Sequence, residues 1–282
     1  MRRIVLCSWV CLLAGVGSYG QAADKPAPHF ANGKLIDLKV EGRAAYLIVP
    51  TGAPDPQRRW VWIAPFWLGN NLSGGFGAAK DEVSHQFYVD AALAKGFHVA
   101  GVDVGTSCGS VPGVAVCQKF YELLTTKYKL NERARLIGQS NGGLIAYAWA
   151  WRHPKAVDRI FGIYPVTDLR TWPGLDKVAG KGPAVLPLPE LGYNMTVKEL
   201  EARLKEFNPI DNLKPLAEAG VKVFHLHGDK DTLVPIGPNS EEFVRRYRAL
   251  GGKVDLELVK GAGHMPGPLF YRSERAAAFL VE

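Results

Sequence analysis

The residues with the clearest chemical potential are Gly138-Gln139-Ser140-Asn141-Gly142, a Gly-x-Ser-x-Gly pentapeptide fed by an apolar run and followed by a helix-like segment. A serine hydroxyl alone is a weak nucleophile, so a histidine must accept its proton and a carboxylate must hold that histidine's tautomer. The flanking glycines suit a sharp strand-to-helix turn, where side chains at Gly138 and Gly142 would collide with neighbouring backbone. A chance occurrence in a glycine-rich loop is the other reading of the bare pentapeptide. Two downstream loops supply partners in the order carboxylate, then histidine. His227-Gly228-Asp229-Lys230-Asp231 offers Asp231, with Asp229 as the alternative acid, and Lys260-Gly261-Ala262-Gly263-His264 offers His264. Asp231 as a turn residue and His264 as an ordinary loop histidine stay open on these residues alone. His225 and His227 fall within or beside a strand, where packing accounts for them.

For three such distant groups to meet, the chain must bring their loops to one edge of a sheet. Residues 34–40 and 43–49 alternate apolar and polar side chains around Glu41-Gly42 and predict a strand pair. Trp60-Val61-Trp62-Ile63-Ala64 is a short apolar run of the kind buried in a central sheet, and Pro65 stops it. Helical spacing follows over 81–95, then a strand over 97–102, a helix over 114–129, a strand over 134–137 and a helix over 142–152. Strands over 159–164, 222–227 and 254–259, a helix over 240–250 and a closing helix over 269–281 complete the series. This alternation predicts an α/β fold with a mostly parallel central sheet flanked by helices. In such sheets, reacting groups gather beyond the carboxyl ends of the strands, which is where the three loops fall. The rhythm breaks over 167–208, where Pro and Gly cluster before a helix opened by Thr196 with Glu199 three residues on. That stretch predicts a small lid or cap, a disordered linker being the alternative.

With 282 residues, 47% hydrophobic and 22% charged, the chain has enough apolar material for one large α/β domain. Met1-Arg2-Arg3, an apolar run over 4–16 and small or polar residues to Ala22 read as a signal peptide over 1–22, with the catalytic domain over 23–282. Secreted or periplasmic localisation follows, without stable membrane association after cleavage; an uncleaved anchor is the alternative. Cys108 and Cys117 are the cysteines beyond that leader, and an exported pair predicts a disulfide across a short loop, two buried thiols being the alternative. The formal charge of +7 includes Arg2 and Arg3, so their removal leaves an excess of five scattered basic residues, which gives nucleic-acid binding little support. His29, His85, His98 and His153 form no spaced cluster with carboxylates or cysteines, which argues against a metal. Gly69, Gly74, Gly75 and Gly77 do not follow a strand as a dinucleotide fingerprint requires, so no cofactor is implied.

Taken with its motif order, the chain resembles the α/β-hydrolase superfamily, in particular its dienelactone-hydrolase and prolyl-oligopeptidase branch, where a His-Gly-x-x-Asp-x-x-Val-Pro segment carries the acid. The resemblance implies Ser140 as nucleophile, Asp231 as acid and His264 as base. It covers most of the chain and is weakest before Trp60 and over 167–208. One oxyanion donor should be the backbone N–H of Asn141 at the helix start. The other should come from the loop after Ala64; Pro65 has no N–H, which points to Phe66, with Trp67 the alternative. Many relatives place His-Gly-Gly here, and this chain departs from them with Ala64-Pro65-Phe66. Trp67 and Trp172, with Phe66, fall in segments expected at the rim and offer flat faces to sugar or phenolic rings, whereas Trp60, Trp62, Trp149 and Trp151 belong to the core. The expected activity is a serine esterase acting through an acyl-enzyme on a small-molecule or oligosaccharide ester, carbohydrate-linked or aromatic. A serine peptidase is the alternative, and a catalytically silent hydrolase-like binding protein the second; oligomeric state is left open.

Overall fold

The computed structural model describes residues 30–64, 85–105, 107–175, 192–264 and 268–282. Eight strands form one sheet: β1 (Gly33–Val40), β2 (Arg43–Pro50), β3 (Trp60–Ala64), β4 (His98–Val102), β5 (Ala134–Gln139), β6 (Val157–Ile163), β7 (Lys222–Gly228) and β8 (Val254–Val259). Their spatial order is β1-β2-β4-β3-β5-β6-β7-β8. β1, β2 and β4 pair antiparallel, and every pairing from β4 through β3 to β8 is parallel. The helices are α1 (Gln86–Ala94), α2 (Val111–Thr126), α3 (Asn141–Ala150), α4 (Val197–Arg203), α5 (Lys214–Glu218), α6 (Glu242–Ala249), α7 (Pro268–Tyr271) and α8 (Glu274–Val281). The α/β fold with a mostly parallel sheet is therefore the one the alternation implied.

Because successive side chains on a strand point to opposite faces, the continuous apolar run of β3 serves two cores at once. Trp60, Trp62 and Ala64 join Leu136, Phe120 and Trp149 on the face covered by α2 and α3. Val61 and Ile63 join Val99, Ile137, Phe161 and Leu280 on the face covered by α1 and α8. Trp62 packs its ring against Trp149 at 4.8 Å and Phe120 at 5.1 Å; Trp60, Trp62 and Trp149 are in the core as expected, whereas Trp151 is only partly buried against it. The closing segment differs from a single helix: it is broken into α7 and α8, and Ser273 between them caps α8 by accepting from the Ala276 N–H.

The expected Cys108–Cys117 disulfide is absent; both residues are buried thiols. Cys117 lies on α2 facing the tryptophan core, whereas Cys108 precedes that helix and packs into a third cluster with Leu144, Val166 and Leu200. A short loop does not suffice for a bridge when its ends turn into different cores. Burial pushes both thiols up to about 12, as expected for packing residues rather than reactive ones.

Of the excursion over 167–208, residues 176–191 lie outside the described residues. On its exit side α4 begins with the capping box read from Thr196 and Glu199. Leu169, Tyr193, Leu200, Leu204 and Phe207 pack onto Leu144 of α3 and Val234 beyond β7. The entry side is tied down by Asn239, whose Oδ1 accepts the Thr167 N–H at 2.9 Å. Residues 1–22, expected to form a leader, also lie outside the described residues.

Candidate active site

Ser140 stands between β5 and α3 with φ 49° and ψ −122°, a backbone region an L-residue enters only when its surroundings enforce it. Enforcement is visible on both sides. Its N–H donates to the Ile163 carbonyl and its own carbonyl accepts from Gly143 and Val166. A Cβ at Gly142 would lie 2.1 Å from the Ala64 carbonyl oxygen, and one at Gly138 would lie 3.0 Å from the Gly142 carbonyl oxygen. The pentapeptide glycines are thus demanded by backbone-to-backbone approach, and that approach holds the serine at the carboxyl edge of the sheet.

The acid and base loops are stapled to each other. A Cβ at Gly228 would lie 2.2 Å from the Ala262 carbonyl oxygen, so the loop leaving β8 runs directly over the end of β7. Lys230 N–H donates to that carbonyl at 2.9 Å, and Asp229 Oδ1 accepts the Gly261 N–H at 2.7 Å. Asp229, the alternative acid, is accordingly a brace between the loops, and Asp231 is the carboxylate that reaches the histidine. His264 Nδ1 lies 2.7 Å from Asp231 Oδ2 and its Nε2 lies 2.9 Å from Ser140 Oγ. Since an ionised carboxylate only accepts, Nδ1 of His264 carries the hydrogen and Nε2 is left to accept from the serine hydroxyl.

The charge on Asp231 is secured locally. Burial opposes ionisation, but donors from His227, His264 and the Val234 backbone outweigh it and hold the carboxyl well below the usual range. Its Oδ1 accepts backbone N–H groups of Leu233 at 3.0 Å and Val234 at 2.8 Å. The His264 ring lies 4.5 Å from that of Tyr164, whose hydroxyl accepts from Gln139 at 2.6 Å and sits 3.1 Å from the Tyr271 hydroxyl. One face of the base is thus walled by aromatic surface, limiting its swing away from Ser140.

Asn141 opens α3, where the first N–H groups have no intrahelical acceptor and the helix dipole favours negative charge. The approach of Ala64 to Gly142 brings the end of β3 to the same point, but Phe66 and Trp67 lie outside the described residues. Trp172 is half-buried and packs against the cluster of Leu144, Val166 and Tyr193. Among the described residues, no group of three or more His, Cys, Asp or Glu is placed to hold a metal ion. Two residues assigned to packing, His225 and His227, are hydrogen-bonded to each other through Ser240, and His227 Nε2 lies 3.4 Å from Asp231 Oδ2; their spacing two apart in an otherwise apolar strand was the available signal.

Residues 116–282 match the model of the prolyl oligopeptidase family. This chain belongs to that family, whose model its carboxyl-terminal part matches, and it has the α/β-hydrolase fold. No curated protein matches its sequence. Among solved structures it is similar to a puromycin-hydrolyzing peptidase from Mycobacterium tuberculosis, with TM-score 0.60 and 17% identity over 93% of this chain and 40% of that one. It is similar to Est1E from Butyrivibrio proteoclasticus, with TM-score 0.58 and 14% identity over 88% of this chain and 97% of that one. Carboxyl esterase 2 from Tuber melanosporum gives TM-score 0.58 and 20% identity over 93% of this chain and 87% of that one. The chain spans 35% and 40% of the lengths of the Bacteroides ovatus and Mycobacterium tuberculosis peptidases it matches.

Proposed function

We propose that this chain is an exported serine esterase that cleaves a carbohydrate-linked or aromatic ester through an acyl-enzyme. The observation that carries the reading is the unbroken hydrogen-bonded series from Ser140 Oγ through His264 to Asp231. Ser140 Oγ attacks the ester carbonyl while its proton passes to His264 Nε2, and Asp231 stabilises the resulting imidazolium. The carbonyl oxygen becomes an oxyanion facing the Asn141 N–H, with a second donor from the loop after Ala64, Phe66 being our assignment. Collapse expels the alcohol, which takes the proton from Nε2. Water then attacks the acyl carbonyl, gives its proton to the same nitrogen, and Ser140 leaves as the hydroxyl.

The ester preference draws on carboxyl esterase 2, which, like Est1E, this chain matches over most of that protein's own length. Trp67 and Trp172 are our candidates for the flat surface that receives a ring, with 167–208 as a small lid. The leader over 1–22 supports a periplasmic or secreted location. A peptidase is the second reading, favoured by the family's name and by the peptidases among the similar structures. A fluorophosphonate probe labels Ser140 in a hydrolase, and labelling disappears in Ser140→Ala; equal labelling of both proteins refutes the site, and no labelling of either leaves a binding protein. A panel of acetyl, feruloyl and short acyl esters beside peptide amides then decides the bond, and turnover of amides alone overturns the esterase reading.

A further inference from the structure

Residues two apart on a strand share a face, so His225 and His227 both point toward the side of the sheet that carries α3 and α6. Both are completely buried. An unsatisfied ring nitrogen would be costly there, and all four nitrogens have partners. His227 Nε2 lies 2.9 Å from the Val234 carbonyl oxygen and 3.4 Å from Asp231 Oδ2. Both of those groups only accept, so Nε2 carries the hydrogen. The Tyr147 hydroxyl donates to His225 Nε2 at 2.6 Å, so the His225 ring donates from Nδ1 to Ser240 at 2.9 Å. The Ser240 hydroxyl hydrogen is then directed to His227 Nδ1 at 2.8 Å, which accepts. Every tautomer follows, and the donors run one way, from Tyr147 in α3 to the Val234 carbonyl, beside which Asp231 Oδ2 lies 3.4 Å from the same His227 nitrogen. Burial, with His227 beside it, pushes His225 down to about 3, in keeping with an uncharged ring.

Two local features exist to seat this series. Gly162 faces His225 in register across β6 and β7, and a Cβ there would lie 2.8 Å from the imidazole Cδ2. Ser240 sits in a π-helical turn over Gly237–Glu241, whose wider spacing places it between the two rings.

Resting on the hydrolytic reading above, we propose that His227 is a positioning residue: its Nε2–H, fixed in that tautomer by Ser240 and hydrogen-bonded to the Val234 carbonyl, lies 3.4 Å from the Asp231 oxygen that His264 holds at 2.7 Å and so sets how strongly the acid holds the base. Two imidazole N–H groups thus face one carboxylate oxygen, His264 in a hydrogen bond and His227 at the longer distance. Removing His227 leaves the carboxylate charge to His264 alone, so His264 holds a proton to higher pH, and leaves Asp231 with one fewer group to orient it toward that ring. The groups facing Asp231 are His227 from β7, His264 from the loop after β8 and the Tyr164 hydroxyl after β6, and those facing His227 are Asp231, Ser240 and His225.

The test uses the full chain, p-nitrophenyl acetate, and active sites counted by fluorophosphonate titration. His227→Phe is expected to lose about tenfold in kcat per titrated site with KM within about twofold, as loss of an orienting partner does. The acidic limb of kcat/KM moves to higher pH. His227→Gln, whose amide N–H can replace Nε2–H, restores the limb, and Ser240→Ala shifts it in the same direction as Phe by a smaller amount. A role in packing alone would lower the titrated fraction and leave the limb in place; superimposed profiles for wild type and Ser240→Ala overturn the proposal even if His227→Phe fails to fold. A wild-type protein that takes up no fluorophosphonate sinks the hydrolytic reading itself, and the proposal with it, whereas a labelled, active wild type with unmoved variant profiles sinks the proposal alone.

Discussion

Gly142→Ala tests whether the elbow is built by backbone contact. The added Cβ would start 2.1 Å from the Ala64 carbonyl oxygen, with no side chain able to swing aside. Contacts under 3.0 Å are not found for real Cβ atoms, so β3 and the start of α3 must separate by about 1 Å. That separation carries Asn141 N–H and Ser140 Oγ away from each other's target and disturbs the loop expected to hold the second donor. A misplacement of about 1 Å at a reacting centre costs about 100-fold in rate, or about 2.7 kcal/mol. Overpacking of this kind lowers stability by about 1–3 kcal/mol, so the fold should survive. The assay is kcat/KM on a p-nitrophenyl ester per folded protein, with a urea melt alongside. Gly52→Ala is the control, since nothing lies within 4 Å of its added Cβ. A Gly142→Ala protein with wild-type turnover and melt would refute the steric account of the turn.

Acidification should weaken the fold through buried histidines. Burial lowers His85 and His98 to about 4 and His225 to about 3, all below the ordinary 6.5. The unfolded chain therefore takes up protons first, and the stability these rings contribute is complete above pH 6.5 and lost as pH falls toward the folded values. Each contributes about 1.4 kcal/mol per pH unit in that window, large beside a total of about 5–15 kcal/mol, so urea midpoints should drop clearly from pH 7 to pH 5. Equal midpoints would contradict it. Ellman's reagent should leave Cys108 and Cys117 unmodified in the native protein at pH 8 and titrate both after unfolding without reductant; finding no thiols on unfolding would restore the disulfide.

Local patterns carried a large part of the fold and of the candidate site. Alternation in β1 and β2, the unbroken apolar run of β3 and the capping box at Thr196 are properties of neighbouring residues, and neighbouring residues suffice to read them. Gly138 and Gly142 announced the turn because only glycine tolerates the approach found there, and the positions of Asp231 and His264 in loops after strands announced their meeting. Tertiary structure alone decided the rest. Whether Cys108 and Cys117 join depends on which core each end of the loop enters, and whether Asp229 or Asp231 is the acid depends on the crossing of one loop over Gly228. His227 looked like packing because burial and hydrogen bonding to an acid leave the same mark in sequence, a polar residue in an apolar strand. Its partner Ser240 comes from the turn before α6, and the Tyr147 hydroxyl that begins the series through His225 comes from α3, so only the packing of those elements on one sheet face sets the distances.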